Sequence, residues 1–270
     1  MPMDRATKIS DLRKRLETLE KRTPASVTRP QHLSPDIETF EETVGGEVRE
    51  TPHGLCLVVD KSFSLSHRHG DYPLAEAFKY TAGEVLMQGG DPRLKGYAPG
   101  RALFVDTETT GLAMGAGTYA FLVGAGIRRG DRFHVIQYFM RDFSEEGAQL
   151  HLLAELLKEG DFLVSFNGKS YDVPLLENRF IMSRMSSELG DMPHLDLLYT
   201  ARRLWKHRLD DCRLATLERE LMGVRREEDI PSHAIPQVFF DYLRGKGREE
   251  MQRVFHHNLL DILSLALLGG

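Results

Sequence analysis

Cysteine is scarce in this 270-residue chain: Cys56 and Cys212 stand far apart. That excludes the paired-cysteine spacing of a structural zinc and a fold organised by disulfides. A reducing compartment suits such usage, and the cytoplasm is the expected location. Long apolar runs are also missing, since none approaches the roughly 20 residues of a membrane-spanning helix. The charged N-terminus lacks the apolar core of a secretory leader. Nor is there an excess of one charge: 35 basic and 40 acidic residues leave a net −5. A bulk polycationic coat for nucleic acid is therefore excluded, while a local basic groove is not. There is no internal repeat and no low-complexity segment. What is present is ordinary globular composition, 41% hydrophobic and 28% charged, with length for one sizeable domain and an extension.

The first hundred residues carry little chemistry. Ile9, Leu12, Leu16 and Leu19 recur at steps of three and four, which predicts a helix over 7–22 with one apolar stripe. The stripe is too short for a coiled coil, so it packs on its own domain or docks a protein partner. Pro24, Pro30 and Pro35 mark a linker or extended arm. An acidic stretch from Asp36 to Glu50 reads as solvated surface. Residues 46–66 suggest short strands and 73–88 a helix. His67-Arg68-His69-Gly70 offers metal or phosphate ligands, although a solvated loop is the simpler reading. The domain reading is an N-terminal helix over 1–24, a linker and small α+β extension over 25–99, and a main domain over 100–270.

From residue 101 the pattern sharpens. Ala102–Val105, Tyr119–Ile127 and Phe133–Met140 are apolar runs of strand length, the last two joined at the Gly130-Asp131 turn. An amphipathic helix follows over 144–158, then a fourth strand at Phe162–Ser165. Pro174, just after Asp172, sits in what reads as the first turn of a helix reaching about Met185. Leu195–Leu198 is a fifth strand or a helix start, and a helix over 248–268 closes the chain. The order predicts an α/β fold, a mixed five-stranded sheet flanked by helices, with an N-terminal α+β extension.

Three carboxylate-bearing motifs lie on this frame. Asp106-Thr107-Glu108-Thr109-Thr110-Gly111-Leu112 ends the first buried strand. Strand periodicity puts Asp106 and Glu108 on one face, where two acids at a strand end can hold a hard divalent cation. Asn167-Gly168-Lys169-Ser170-Tyr171-Asp172 follows the fourth strand, and Asp172 alone would read as a helix cap. His256-His257-Asn258-Leu259-Leu260-Asp261 lies in the last helix, where an aspartate has poor propensity and needs a partner. His257 and Asp261, four apart, share a helix face. His256, five apart, joins them only if the helix begins between the two, with Asn258 as N-cap. Asp196 and Asp210-Asp211 read as caps or surface.

These motifs, in this order, resemble the DEDD exonuclease superfamily. The strings Phe104 to Leu112, Phe166 to Pro174, His194 to Leu198, Arg203-Leu204-Trp205 and His257 to Leu265 are similar to the YprB-type RNase H-like domain family. The resemblance implies an RNase H-like fold and a 3′–5′ exonuclease hydrolysing phosphodiester bonds with two divalent ions, Mg²⁺ or Mn²⁺. It implies that Asp106 bridges both ions, that Glu108 and Asp261 complete one shell, and that Asp172 supports the other through water. The general base is then His257 or His256. The subgroup with histidine five residues before the last aspartate usually has alanine where Asn258 stands here, and the tyrosine of the other subgroup would fall at His257. Expected substrate contacts are Thr109, Asn167, Lys169 and the basic segment Arg202, Arg203 and Lys206, with Tyr199 and Trp205 as aromatic surfaces for bases. The expected partner is DNA or RNA, at single-stranded ends. A structure-specific endonuclease and a binding module with little turnover are the competing readings.

Overall fold

The computed structural model describes residues 39–81, 83–84, 91–111, 117–227 and 229–270. The helix expected over 7–22, its docking role, the proline-bearing arm and Leu112 of the first motif lie outside them. Residues 39–270 form one compact unit, and among the described residues no helix is long and apolar enough to cross a membrane.

The centre is a mixed sheet. Its strands are β1 (Glu47–Thr51), β2 (Gly54–Ser64), β5 (Ala102–Thr109), β6 (Ala120–Arg129), β7 (Arg132–Phe139), β8 (Phe162–Ser165) and β9 (His194–Asp196). They lie in the order β1-β2-β7-β6-β5-β8-β9. Pairing is antiparallel from β1 to β5 and parallel from β5 through β8 to β9. The five strands expected from the sequence are all there, and two more extend the sheet to seven. The reason lies in β2, whose run Cys56–Val59 is buried on both faces. Cys56 and Val58 join one core and Leu57 and Val59 another, so the strand needs cover on both sides and finds it only as part of a larger sheet. A two-residue ladder, β3 (Arg68–His69) with β4 (Tyr72–Pro73), forms a small hairpin. The helix expected over 73–88 begins instead as a 3₁₀ turn, Leu74–Phe78. Leu74 and Ala77, which it buries, stand three apart, the 3₁₀ period.

The helices are α1 (Phe40–Val44), α2 (Glu146–Leu157), α3 (Asp172–Met182), α4 (Leu197–Trp205), α5 (Leu214–Leu217), α6 (Ile235–Leu243) and α7 (Arg248–Leu268). Leu103 and Val105 of β5 point to a core filled by Leu150, Leu153, Leu175 and Phe180 of α2 and α3. Ala102 and Phe104 point the other way, to Ile262, Leu263 and Ala266 of α7. A third core stacks Phe121 on Phe239 at 4.2 Å and gathers Phe40, Phe139 and Phe255, tying α1 and α6 to the first half of α7. Each such buried phenylalanine contributes about 1.5–3 kcal/mol.

Two glycines decide how closely α7 lies on the sheet. A Cβ on Gly124 would meet Asn258 Oδ1 at 2.2 Å, and one on Gly126 would meet Ile262 Cγ2 at 2.7 Å. Gly124 is also the register partner of Asp106. The bare backbone of β6 therefore lets α7 bring polar side chains down to the end of β5.

Candidate metal centre

The alternation of β5 sorts its last residues between the two faces. Asp106 and Glu108 continue the Ala102–Phe104 side, towards α7. Thr107 continues the Leu103–Val105 side, where its Oγ1 donates to Asp172 Oδ1 at 2.5 Å. Asp172 is thus anchored from the far side of the sheet edge. It opens α3 as its first residue, with Tyr171 as N-cap. From the other side, Asn258 in α7 donates Nδ2–H to Asp106 Oδ2 at 2.9 Å. One turn further, Asp261 faces the same place. Ligand atoms of Glu108, His257 and Asp261 all fall within 4.8 Å of one another.

Asp106, Glu108, Asp172 and Asp261, drawn from two helices and a strand, are near enough to act on one another electrostatically, although the ligand atoms that come within 4.8 Å as a group are those of Glu108, His257 and Asp261. Burial raises the carboxyl pKa of all four, Asp172 to about 6. Mutual repulsion adds to this: Asp261 and Asp172 act on Asp106, and Asp106 acts on Glu108. Buried carboxylates held at mutual repulsion fit a divalent cation with hard oxygen ligands, which removes both costs at once.

His257 is buried, and its Nδ1 lies 2.8 Å from both oxygens of Asp229. A carboxylate can only accept, so Nδ1 carries the proton. In the neutral ring Nε2 then keeps its lone pair, 3.4 Å from Asp261 Oδ2. His256 is exposed and lines neither cavity at the site. α7 starts at Arg248, well before both histidines, so Asn258 is not an N-cap but a fully buried mid-helix residue. The late helix start that would bring His256 to the site does not occur, because Met251, Val254 and Phe255 already need burial on that turn.

Two adjoining cavities of about 480 and 640 Å³ open onto Asp106, Asp172 and Asp261 and share Asp106, Phe166, Arg213, Leu214 and Ser232 in their walls; Glu108 lines neither. Asn167 and Arg202 line the larger one. Asn167 has a positive φ of 67° and gives its N–H to Asp196 Oδ1 at 2.8 Å. Asp196 also accepts from Lys169 N and caps α4 through Leu198 N. It is a buried cap, and it shapes the loop before Asp172. Arg203 and Lys206 lie on the exposed face of α4 and its end, outside both cavities, as does the exposed Lys169 side chain. Thr109 is buried, with Oγ1 turned onto Gly111 O at 2.9 Å. Trp205 lines a separate cavity with Tyr72, Leu221 and Leu267, and Tyr199 is half exposed with its hydroxyl 3.3 Å from Ser170 Oγ. His69, read as part of a solvated loop, is buried and bonded to Ser264 Oγ at 2.7 Å. The β3–β4 hairpin folds down onto α7 and carries it there.

Sequence reasoning missed Arg226, Asp229 and Glu218. Arg226 Nη2 meets Asp261 Oδ1 at 2.5 Å, its Nη1 meets Asp229 Oδ2 at 3.2 Å, and its Nε donates to Glu218 Oε2 at 2.7 Å. The string from Arg225 to Asp229 looks like a solvated charge run, and no local pattern distinguishes it from one.

Residues 103–269 match the RNase_H_2 family of the RNase_H superfamily. The chain is 37% identical over 219 residues to a Bacillus subtilis protein named "Uncharacterized protein YprB", an alignment covering 79% of this chain and 52% of that one. The chain thus spans about half the length of that relative.

Proposed function

The chain belongs to the RNase H superfamily, and from that premise we propose that it is a metal-dependent nuclease, a 3′–5′ exonuclease of the DEDD type acting on single-stranded ends. The observation that carries this reading is that Asp106, Asp172 and Asp261 line one cleft at the end of β5, with Glu108 grouped beside Asp261 and His257. Polarity and end-specificity come from the resemblance to the DEDD exonuclease superfamily.

These four carboxylates are the residues that would hold two divalent ions, Mg²⁺ or Mn²⁺. Bound there, the ions supply Lewis-acid activation of the attacking water and charge stabilisation of the leaving oxygen. The chain's own groups do the rest. Asp229 fixes the tautomer of His257, so Nε2 faces the cleft as a proton acceptor beside Asp261. From there it takes the proton of the attacking water. Asn258 and Thr107 hold Asp106 and Asp172 in place, which keeps the acids oriented before any ligand arrives. Arg202 and Arg213, in the cleft wall, meet the phosphate backbone, while Phe166 and Leu214 exclude water from the reacting end.

Incubation of the pure protein with end-labelled single- and double-stranded DNA and RNA, with Mg²⁺ or Mn²⁺, tests the reading. A ladder shortening from the 3′ end is expected, abolished by Asp106→Asn. Internal cuts indicate an endonuclease with the same centre. No product on any substrate removes the enzymatic reading in favour of a binding module.

A further inference from the structure

The cationic side chain at the centre of the carboxylate cluster is Arg226. Its side chain is 11% exposed. It is wedged between one acid of the proposed metal set and two acids behind it. In front, Nη2 takes Asp261 Oδ1 at 2.5 Å. The other oxygen, Oδ2, faces His257 Nε2 at 3.4 Å. Oδ1 of Asp261 is therefore held by a cation, while Oδ2 faces only the imidazole nitrogen. Behind, Arg226 is gripped by Glu218 through Nε and Nη2, and by Asp229 through Nη1.

Glu218 is itself fixed from deeper in the protein. It is 1% exposed and accepts a hydrogen bond from Ser264 Oγ. Since that serine gives its proton to Glu218, it accepts from His69 Nε2–H at 2.7 Å. Burial pushes the His69 pKa down to about 4, so the ring is neutral and serves as a fixed donor. The rear anchor of Arg226 is thus complete without Asp261. A simple Arg–Glu strut would need nothing further. The reach of Nη2 forward onto Asp261 is an additional contact, and it takes one of the two oxygens that Asp261 has to offer a divalent ion.

We propose that Arg226 is an internal counter-cation that competes with divalent metal for Asp261 and so sets how tightly the carboxylate cluster takes up the ion. The inference rests on the metal-dependent reading above. With the ion absent, Arg226 offsets repulsion among the acids. When the ion arrives, the guanidinium gives up Asp261 and stays on Glu218 and Asp229, so no buried charge is left unpaired. Its backbone suits this exchange: the segment from Gly223, a left-handed cap with φ of 66°, to Pro231 belongs to no helix or strand among its described residues.

Titration calorimetry with Mn²⁺ at pH 7.5, on the EDTA-stripped full chain without substrate, tests the exchange. Arg226→Gln should bind Mn²⁺ about tenfold more tightly or better, the scale of removing one nearby unit charge. Glu218→Gln should bind more weakly, because the guanidinium loses its rear partner and stays on Asp261. A residue that merely braces the site would weaken binding in both variants. Should Arg226→Gln leave the buried Glu218 unpaired and fail to fold, the double variant with Glu218→Gln is read instead, and it should bind more tightly than Glu218→Gln alone. Equal or weaker affinity on removing Arg226 overturns the proposal. If the wild type binds Mn²⁺ and Arg226→Gln gains nothing, this inference falls alone. If neither binds, it falls together with the metal reading.

Discussion

Asn258 holds Asp106 through a fixed amide: Nδ2 donates to Asp106 Oδ2 at 2.9 Å while Oδ1 accepts from Gln137 Nε2, also at 2.9 Å. Gln137 in turn donates to Phe255 O at 2.8 Å. The orientation of each amide is dictated by the next, because a carboxylate cannot donate. The chain runs from the backbone of α7 across β7 and back to the end of β5, which makes Asp106 a rigid member of the cluster.

Asn258→Ala removes the middle of that chain, so Gln137 Nε2 keeps only Phe255 O and Asp106 Oδ2 loses its amide donor. A loss of about 1–3 kcal/mol in stability is expected, measured by urea denaturation in EDTA. Gly124→Ala should cost at least as much, because the added methyl collides with the Asn258 amide. Unchanged midpoints in both variants would remove Asn258 from the support of the site.

The elements of the main domain were legible because their patterns are local. β5, β6, β7, β8 and α7 follow from apolar runs and turn residues and fall within a few residues of their expected bounds. The acids were legible as strings, and their convergence follows once β5, α3 and α7 take their places. Three things were hidden. β1 and β2 join the main sheet through long-range pairing with β7, which no local signal announces. The role of Asn258 was hidden because it depends on the absence of a side chain at Gly124. Arg226 and Asp229 sit in a charged run whose burial is imposed by α7 and the turn at Glu218–Met222.

The pH dependence of the metal-free protein follows from the raised carboxyl pKa values. A carboxyl group whose folded-state pKa lies above its unfolded value destabilises the fold while it is ionised, and that cost disappears as pH falls through the folded pKa. Asp106 and Glu108 are raised well above the ordinary range and Asp172 to about 6. His69 and His194 act oppositely, since burial lowers both to about 4 and they destabilise the fold only as pH falls below about 6.5. Above about pH 6.5 both histidines stay neutral, so the carboxyl groups alone set the sign of the slope there. In EDTA the melting temperature should therefore rise, not fall, as pH is lowered towards 6.5. Glu108→Gln should raise it at pH 8 and flatten the slope. Saturating Mg²⁺ or Mn²⁺ should raise the wild-type value and flatten its slope too. A flat wild-type profile in EDTA, with no shift on adding metal, would contradict the reading of these acids as a metal set.

The basic segment should divide in two. Arg202 lines the cleft, whereas Arg203 and Lys206 do not. Arg202→Glu should weaken single-strand binding at every sequence and reduce the salt dependence by about one phosphate contact. Arg203→Glu and Lys206→Glu should have smaller effects. Fluorescence anisotropy with labelled oligonucleotides at several salt concentrations reads this directly. Equal losses for all three would show that the strand runs over the outer face of α4, not through the cleft.

The two histidines separate base from ligand. His257 presents Nε2 to the site and is held by Asp229, while His256 is exposed one residue earlier. A single lone pair at Nε2 accepts a proton or binds a metal, but not both at once. If His257 is the base, His257→Ala should lower kcat by roughly two to four orders of magnitude, the usual scale for general-base catalysis. The metal-dependent rise in melting temperature should persist. If instead Nε2 is a ligand, as its spacing from Glu108 and Asp261 permits, both the rate and the thermal shift are lost together. Asp229→Asn should mimic His257→Ala more mildly, because the ring keeps its place but loses the partner that fixes its tautomer, and the acid limb of the pH–rate profile should move. His256→Ala should be nearly silent in rate and in metal response. A dead His256→Ala beside an active His257→Ala would assign the proton transfer to the residue that the helix turns outward, and the arrangement around Asp229 would then have no part in the chemistry.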